Sequence, residues 1–189
     1  MDVRSATVGP MNVSEFFTFT ETRPDEERWE LIEGEPVLNE TPVRLHQRIL
    51  ANLVVSITHW ELESRGCEAY PGIAVLISDI SALTPDFIVR PRNDPGGPIC
   101  DDMIAAFEIL SPSTASRDLG WKRKAYGSLP SVMHYAVVAQ DRCEITCFDR
   151  ATNFEPRHIA GADAALELAA IGVTLELADI YRYTGLSGG

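Results

Sequence analysis

The run Met103-Ile104-Ala105-Ala106-Phe107-Glu108-Ile109-Leu110 carries a single acid in an otherwise apolar stretch. It is bounded by Asp101-Asp102 on one side and by Ser111-Pro112-Ser113-Thr114 on the other, and it predicts a strand covered on both faces. A carboxylate in such a strand is costly to bury unless it meets a cation or a set of hydrogen bonds, so Glu108 requires a partner. Two other segments supply candidates. Thr84-Pro85-Asp86-Phe87-Ile88-Val89 is a second short apolar strand with Asp86 at its mouth, and its proline sets an extended entry. Asp118-Leu119-Gly120-Trp121-Lys122-Arg123-Lys124-Ala125-Tyr126 opens a helix that carries the only two lysines of the chain. If the two strands are neighbours, two acids and an amine converge.

Composition narrows the function classes. At 189 residues and 45% hydrophobic content, the chain suits one domain over 1–189, with residues 1–12 and 187–189 as flexible tails. A formal net charge of −12 argues against broad, sequence-independent affinity for nucleic acid, and it leaves room for a locally basic groove. Met1 to Asn12 has no apolar segment of the secretory kind, and the four cysteines are few for the length, so a reduced, cytoplasmic setting is expected. Cys143 and Cys147 fall on one face of a predicted strand and read as core residues; zinc would require further thiols or histidines at ligand spacing, and none is nearby in the sequence. No apolar run approaches the ~20 residues of a membrane span.

Along the chain, Ser14 is placed to cap a short helix through Glu15-Phe16-Phe17. Trp29 to Leu38 alternates around Glu33-Gly34 and predicts a hairpin that carries Glu30, Glu33 and Glu35. From Thr41 to Arg65 the period becomes helical: Leu45, Ile49, Leu53 and Ile57 recur every four residues, with Pro42 in the first turn and His46-Gln47 near the N-terminal end. Cys67 to Ser78 is extended, and Arg90 to Gly97 is the clearest loop. Either Thr114 or Asp118 caps the next helix, on which Lys122, Tyr126 and Leu129 share a face while Lys124 turns outward. Val132 to Ala139 and Cys143 to Asp149 form a strand pair, Glu155 to Ala160 an edge strand, Leu166 to Ala170 a further strand, and Leu177 to Tyr183 a terminal helix.

Asp86 and Glu108 suit a hard cation such as Mg²⁺, with Mn²⁺ as a substitute, because such ions take oxygen ligands and need only one or two carboxylates beside a substrate phosphate. The chemistry would be phosphodiester hydrolysis, with Lys122 orienting water or neutralising developing charge. The same residues also permit a plain ion pair between Glu108 and Lys122 with no metal. Glu35, His46 and Gln47 are further candidates for the site.

The blocks Pro85-Asp86, Phe107-Glu108-Ile109-Leu110-Ser111-Pro112-Ser113-Thr114, Asp118, Lys122, Tyr126, Leu129-Pro130-Ser131-Val132 and Tyr135 together resemble the Uma2 family of restriction-endonuclease-like proteins. Glu30-Leu31-Ile32-Glu33-Gly34-Glu35, His46-Gln47, Gly172-Val173-Thr174-Leu175 and Ile180-Tyr181 extend the likeness over nearly the whole chain. The resemblance implies an α/β (α+β) fold of the PD-(D/E)xK nuclease superfamily, a mixed sheet flanked by helices. It implies that Asp86 and Glu108 bind Mg²⁺ and that Lys122 is catalytic. The pattern departs in one place: the superfamily lysine two positions after the second acid is Leu110 here, which implies a lysine moved to the helix as Lys122. A first-helix acid is also absent, with His46-Gln47 in its place and Glu35 as a substitute.

Two readings follow. The first is a Mg²⁺-dependent DNA endonuclease; the alternative is a catalytically degenerate nuclease-like fold acting as a binding or assembly module. A homodimer fits either, since cutting both strands of a duplex commonly calls for two sites.

Overall fold

The apolar runs become the two faces of a central sheet, with the isolated acids at one end of it. The computed structural model describes residues 9–92, 99–111 and 115–186. Its first elements are α1 (Val13–Thr20), β1 (Arg28–Ile32), β2 (Glu35–Asn39), α2 (Arg44–Thr58) and a 3₁₀ turn (Leu62–Arg65). Next come β3 (Cys67–Pro71), β4 (Ala74–Ser78), β5 (Ser81–Leu83), β6 (Phe87–Pro91), β7 (Ile99–Cys100) and β8 (Ala105–Leu110). A helical stretch follows, made of α3 (Ala115–Arg117), a π-helical turn (Asp118–Lys122) and α4 (Arg123–Ser128). The chain closes with β9 (His134–Ala139), β10 (Glu144–Asp149), a second 3₁₀ turn (Arg150–Thr152), β11 (Pro156–Ala160), β12 (Ala165–Leu168), β13 (Val173–Glu176) and α5 (Leu177–Ile180).

Strands β11-β10-β9-β8-β6-β3 form a mixed sheet in which only β8 and β9 run parallel, and β2-β1-β5-β4-β7 form a second mixed sheet; β12 and β13 pair separately. The expected mixed α+β architecture with flanking helices is therefore present. Side chains on the central sheet alternate between two cores. Phe87, Val89, Phe107, Ala136 and Val138 meet Ile49, Leu53 and Ile57 of α2 and Leu177 and Ile180 of α5. Ile88, Ala106, Tyr135 and Val137 meet Ala125 and Tyr126 of α4 and Val75 and Leu83 of the second sheet. Burial on both sides is the reason these strands read as continuous apolar runs rather than alternating ones.

Several boundaries differ from expectation. Asn12, not Ser14, caps α1, because Asn12 and Glu15 form a reciprocal capping box; with Met11 N–H bonded to the Gly34 carbonyl at 3.0 Å, residues 11 and 12 are tied down rather than loose. Residues 1–8 and 187–189 of the expected tails, most of the Arg90 to Gly97 loop, and Thr114 lie outside the described residues. Helix α2 begins after Pro42 and stops at Thr58, where the chain tightens into the 3₁₀ turn. Asp118 lies inside a helical stretch rather than at a cap. Strand β5, which pairs with β1 and β4, was not anticipated from its three residues. All four cysteines are free thiols, and among the described residues no helix is long and apolar enough to cross a membrane.

The β1–β2 turn places Glu33 and Gly34 at φ 51° and 85°, the left-handed pair that a two-residue hairpin favours. A Cβ on Gly34 would collide with the Cβ of Pro10. Gly34→Ala is therefore expected to destabilise the protein by about 1–3 kcal/mol, read as a lower urea midpoint at unchanged slope.

Candidate active site

Register decides whether the two strand acids meet. Strands β6 and β8 pair antiparallel with Phe87 opposite Phe107, so Asp86, just before β6, comes level with Glu108 on the same face of the sheet. Asp86 is fixed through one oxygen. Its Oδ2 accepts the Ile109 N–H at 2.7 Å and lies 3.1 Å from His46 Nε2. The histidine reaches it from the first turns of α2 and is buried. Asp86 Oδ1 makes no hydrogen bond among the described residues, and Asp86 lines the cleft.

Glu108 is fixed from the opposite side. Its Oε1 accepts from Lys122 Nζ at 2.7 Å and from the Tyr126 hydroxyl at 2.9 Å. Lys122 and Tyr126 are one helical turn apart, which is how both reach the same oxygen. Lys122 also donates to Glu30 Oε1 at 2.9 Å, with Asp118 Oδ1 at 3.8 Å, and it is only 2% exposed. The π-helical turn aims Asp118 and Lys122 inward together, and the Tyr135 hydroxyl bonds the Asp118 carbonyl at 3.0 Å. Glu30 is fully buried on β1 and also accepts the Thr84 N–H at 3.0 Å. Among the described residues its buried Oε2 has no hydrogen bond, and Arg117 stands 3.7 Å away.

The inner cluster thus sets four carboxylates, Glu30, Asp86, Glu108 and Asp118, against the cations Lys122 and Arg117. Burial alone would lower the Lys122 pKa, but Glu108 and Glu30 outweigh it and keep the ammonium charged. Burial pushes Glu108 up to about 8; Lys122 opposes that rise, and Glu30, Asp86 and Asp118 add to it. In the metal-free protein Glu108 is therefore harder to ionise than a free carboxyl group, while Lys122 stays paired to Glu30. The unfolded chain ionises Glu108 near its ordinary 4.5, so the folded state binds the extra proton between that value and about 8, and stability falls as pH rises through this window. The metal-free Tm is expected to fall between about pH 5 and pH 8, and Glu108→Gln to flatten that slope. Thermal melts in EDTA across this range check it.

These groups open onto a cavity of about 160 Å³ whose lining includes His46, Asp86, Glu108, Arg117, Lys122 and Gln140. Of the residues singled out in the sequence, Asp86, Glu108, Lys122 and His46 are brought together. Glu35 is not: it sits at the turn end of the hairpin opposite Ile32, about 7 Å along from Glu30, and is exposed. Gln47 is exposed too, being turned about 100° round α2 from His46. Glu30, Arg117 and the inward role of Asp118 were missed. For Glu30 there was a signal: its cross-strand partner is Val37, whereas Glu33 and Glu35 lie at the turn. The expectation that nothing metal-ligating lies near Cys147 also needs correction, since His134 and Asp149 place ligand atoms within 4.8 Å of its sulfur and of each other. That group is internally satisfied. His134 Nε2 accepts the Ala170 N–H, so Nδ1 donates to Asp149, which also takes Arg157 and the Cys147 thiol.

A mixed sheet with flanking helices and acids gathered at one strand end defines a restriction-endonuclease-like protein, and the comparisons agree. The family described as "Uma2: Putative restriction endonuclease" matches residues 13–178, and the chain belongs to it. The structure is similar to a crystal structure of "a putative nuclease belonging to DUF820 from Anabaena variabilis", with a TM-score of 0.77 and 17% identity over 93% of this chain and 99% of that one. That likeness shows the fold. No curated protein matches the chain significantly.

Proposed function

We propose that this chain is a Mg²⁺-dependent, cytoplasmic endonuclease that hydrolyses DNA phosphodiesters, with Asp86 and Glu108 as cation ligands. The observation that carries the reading is the pair of half-anchored carboxylates: each has one oxygen fixed by the protein and the other without a hydrogen bond among the described residues. The donors are all oxygen and the cluster holds more carboxylates than cations, which fits a hard divalent ion. When bound, the ion polarises the phosphodiester and lowers the pKa of a coordinated water.

The chain's own residues do the rest. Lys122 is buried and charged, so it orients Glu108 and offsets negative charge rather than accepting a proton. His46 and the Ile109 amide hold Asp86 in place. Arg28 and Arg117 line the cavity and supply positive charge toward a phosphate despite the acidic balance of the whole chain. The cavity of about 160 Å³ accepts a phosphate and a few waters, so the duplex lies across its mouth. Supercoiled plasmid incubated with the purified protein is expected to be nicked and linearised in Mg²⁺ or Mn²⁺ and left intact in EDTA; an intact plasmid in both metals contradicts the reading.

One observation favours the alternative of a binding or assembly module: Lys122 already bonds both Glu30 and Glu108 without any metal. Calorimetry separates the two, since a module held together by this ion cluster binds no Mn²⁺.

A further inference from the structure

We propose that the cleft takes a single divalent cation per chain, because the Lys122 ammonium already occupies the second cation position, between Glu30 and Glu108. This rests on the metal reading above. Two-metal hydrolases hold their ions about 4 Å apart across a shared carboxylate. Glu108 has the form of such a bridge: Oε1 faces Lys122 Nζ at 2.7 Å, and Oε2 makes no hydrogen bond among the described residues. On the near side stands Asp86, with Oδ2 committed to His46 and the Ile109 amide. On the far side stands Glu30, which would be an ordinary second-ion ligand if Lys122 were absent.

Glu30 carries the argument. It is fully buried, Oε1 is bonded to Lys122 and to the Thr84 amide, and Oε2 has no hydrogen bond among the described residues, with Arg117 3.7 Å from it. With Asp118 Oδ1 at 3.8 Å from the ammonium, the far side is a carboxylate-lined hole already filled by a cation of the chain itself. The helical lysine thereby replaces a metal ion rather than serving as the proton acceptor of the reaction. The number of ions bound then follows from whether that ammonium is present.

Mn²⁺ binding followed by electron paramagnetic resonance and equilibrium dialysis tests this without any activity assay. Wild type is expected to bind one ion per chain. Lys122→Ala is expected to bind two, with the exchange-coupled spectrum of a close Mn²⁺ pair. Glu30→Gln combined with Lys122→Met fills the hole with uncharged groups of similar size and is expected to return to one. The wild-type count needs no variant to fold, and two ions there overturn the inference while leaving the metal reading intact. A folded Lys122→Ala protein that still binds one ion also overturns it. No Mn²⁺ bound by any form overturns the metal reading itself, and this inference with it.

Discussion

Lys122→Ala is expected to lower the Tm of the metal-free protein by about 6–20 °C. Removing one member of a buried ion pair typically costs about 3–5 kcal/mol, because the partner is left charged in a poor solvent, and a chain of this size loses about 2–4 °C per kcal/mol. Here the ammonium bonds two buried carboxyl groups, Glu30 and Glu108, and its loss leaves Glu30 without its nearest counter-ion. Replacing the pair together, Glu30→Gln with Lys122→Met, removes both charges at similar volume and should cost far less than the single change. Thermal melts of the three proteins in EDTA measure the difference, and a Lys122→Ala protein within 2 °C of wild type would show that the cluster does not hold the fold.

Asp86→Asn should have the opposite profile, with little effect on stability and a large one on chemistry. The amide oxygen can still take the Ile109 N–H and the His46 contact that fix Oδ2. Its NH₂ group then takes the place of Oδ1, so a proposed cation ligand becomes a donor. Loss of a ligand to the ion that carries the chemistry is worth several kcal/mol of transition-state stabilisation, and about 4 kcal/mol corresponds to about a thousandfold in rate. Plasmid cleavage in Mg²⁺ is expected to fall by at least about that factor while the Tm moves by only a few degrees. Cleavage that persists at the wild-type rate would remove Asp86 from the mechanism.

Much of this site is legible in the linear chain for one reason: an acid inside an apolar strand, or an amine one helical turn from a tyrosine on a buried face, is expensive unless something meets it. That logic points to Glu108 and Lys122 together, and the proline before Asp86 marks the strand mouth at which it stands. The periodicity of Leu45, Ile49, Leu53 and Ile57 likewise gives the core face of α2, three of them fully buried. Local pattern fails where the deciding contact is distant in sequence. Glu30 looks like one of several hairpin acids; its place opposite Val37 sets it apart from Glu35, but its partner, Lys122, lies 92 residues later. Asp118 has the composition of a helix cap, yet the π-helical turn buries it beside Lys122. Gln47 and His46 are neighbours in sequence, and 100° of helix rotation sends one to solvent and the other to Asp86.

Central to the proposed function is that Asp86 and Glu108 hold one ion between them. Crystals soaked in Mn²⁺ and measured at a wavelength where manganese scatters anomalously report its position directly. One anomalous peak per chain is expected, bonded to the Asp86 and Glu108 oxygens that the described residues leave without a hydrogen bond, with Lys122 still seated between Glu30 and Glu108. A peak lodged instead among His134, Cys147 and Asp149, or no peak in the cleft at saturating Mn²⁺, would contradict it.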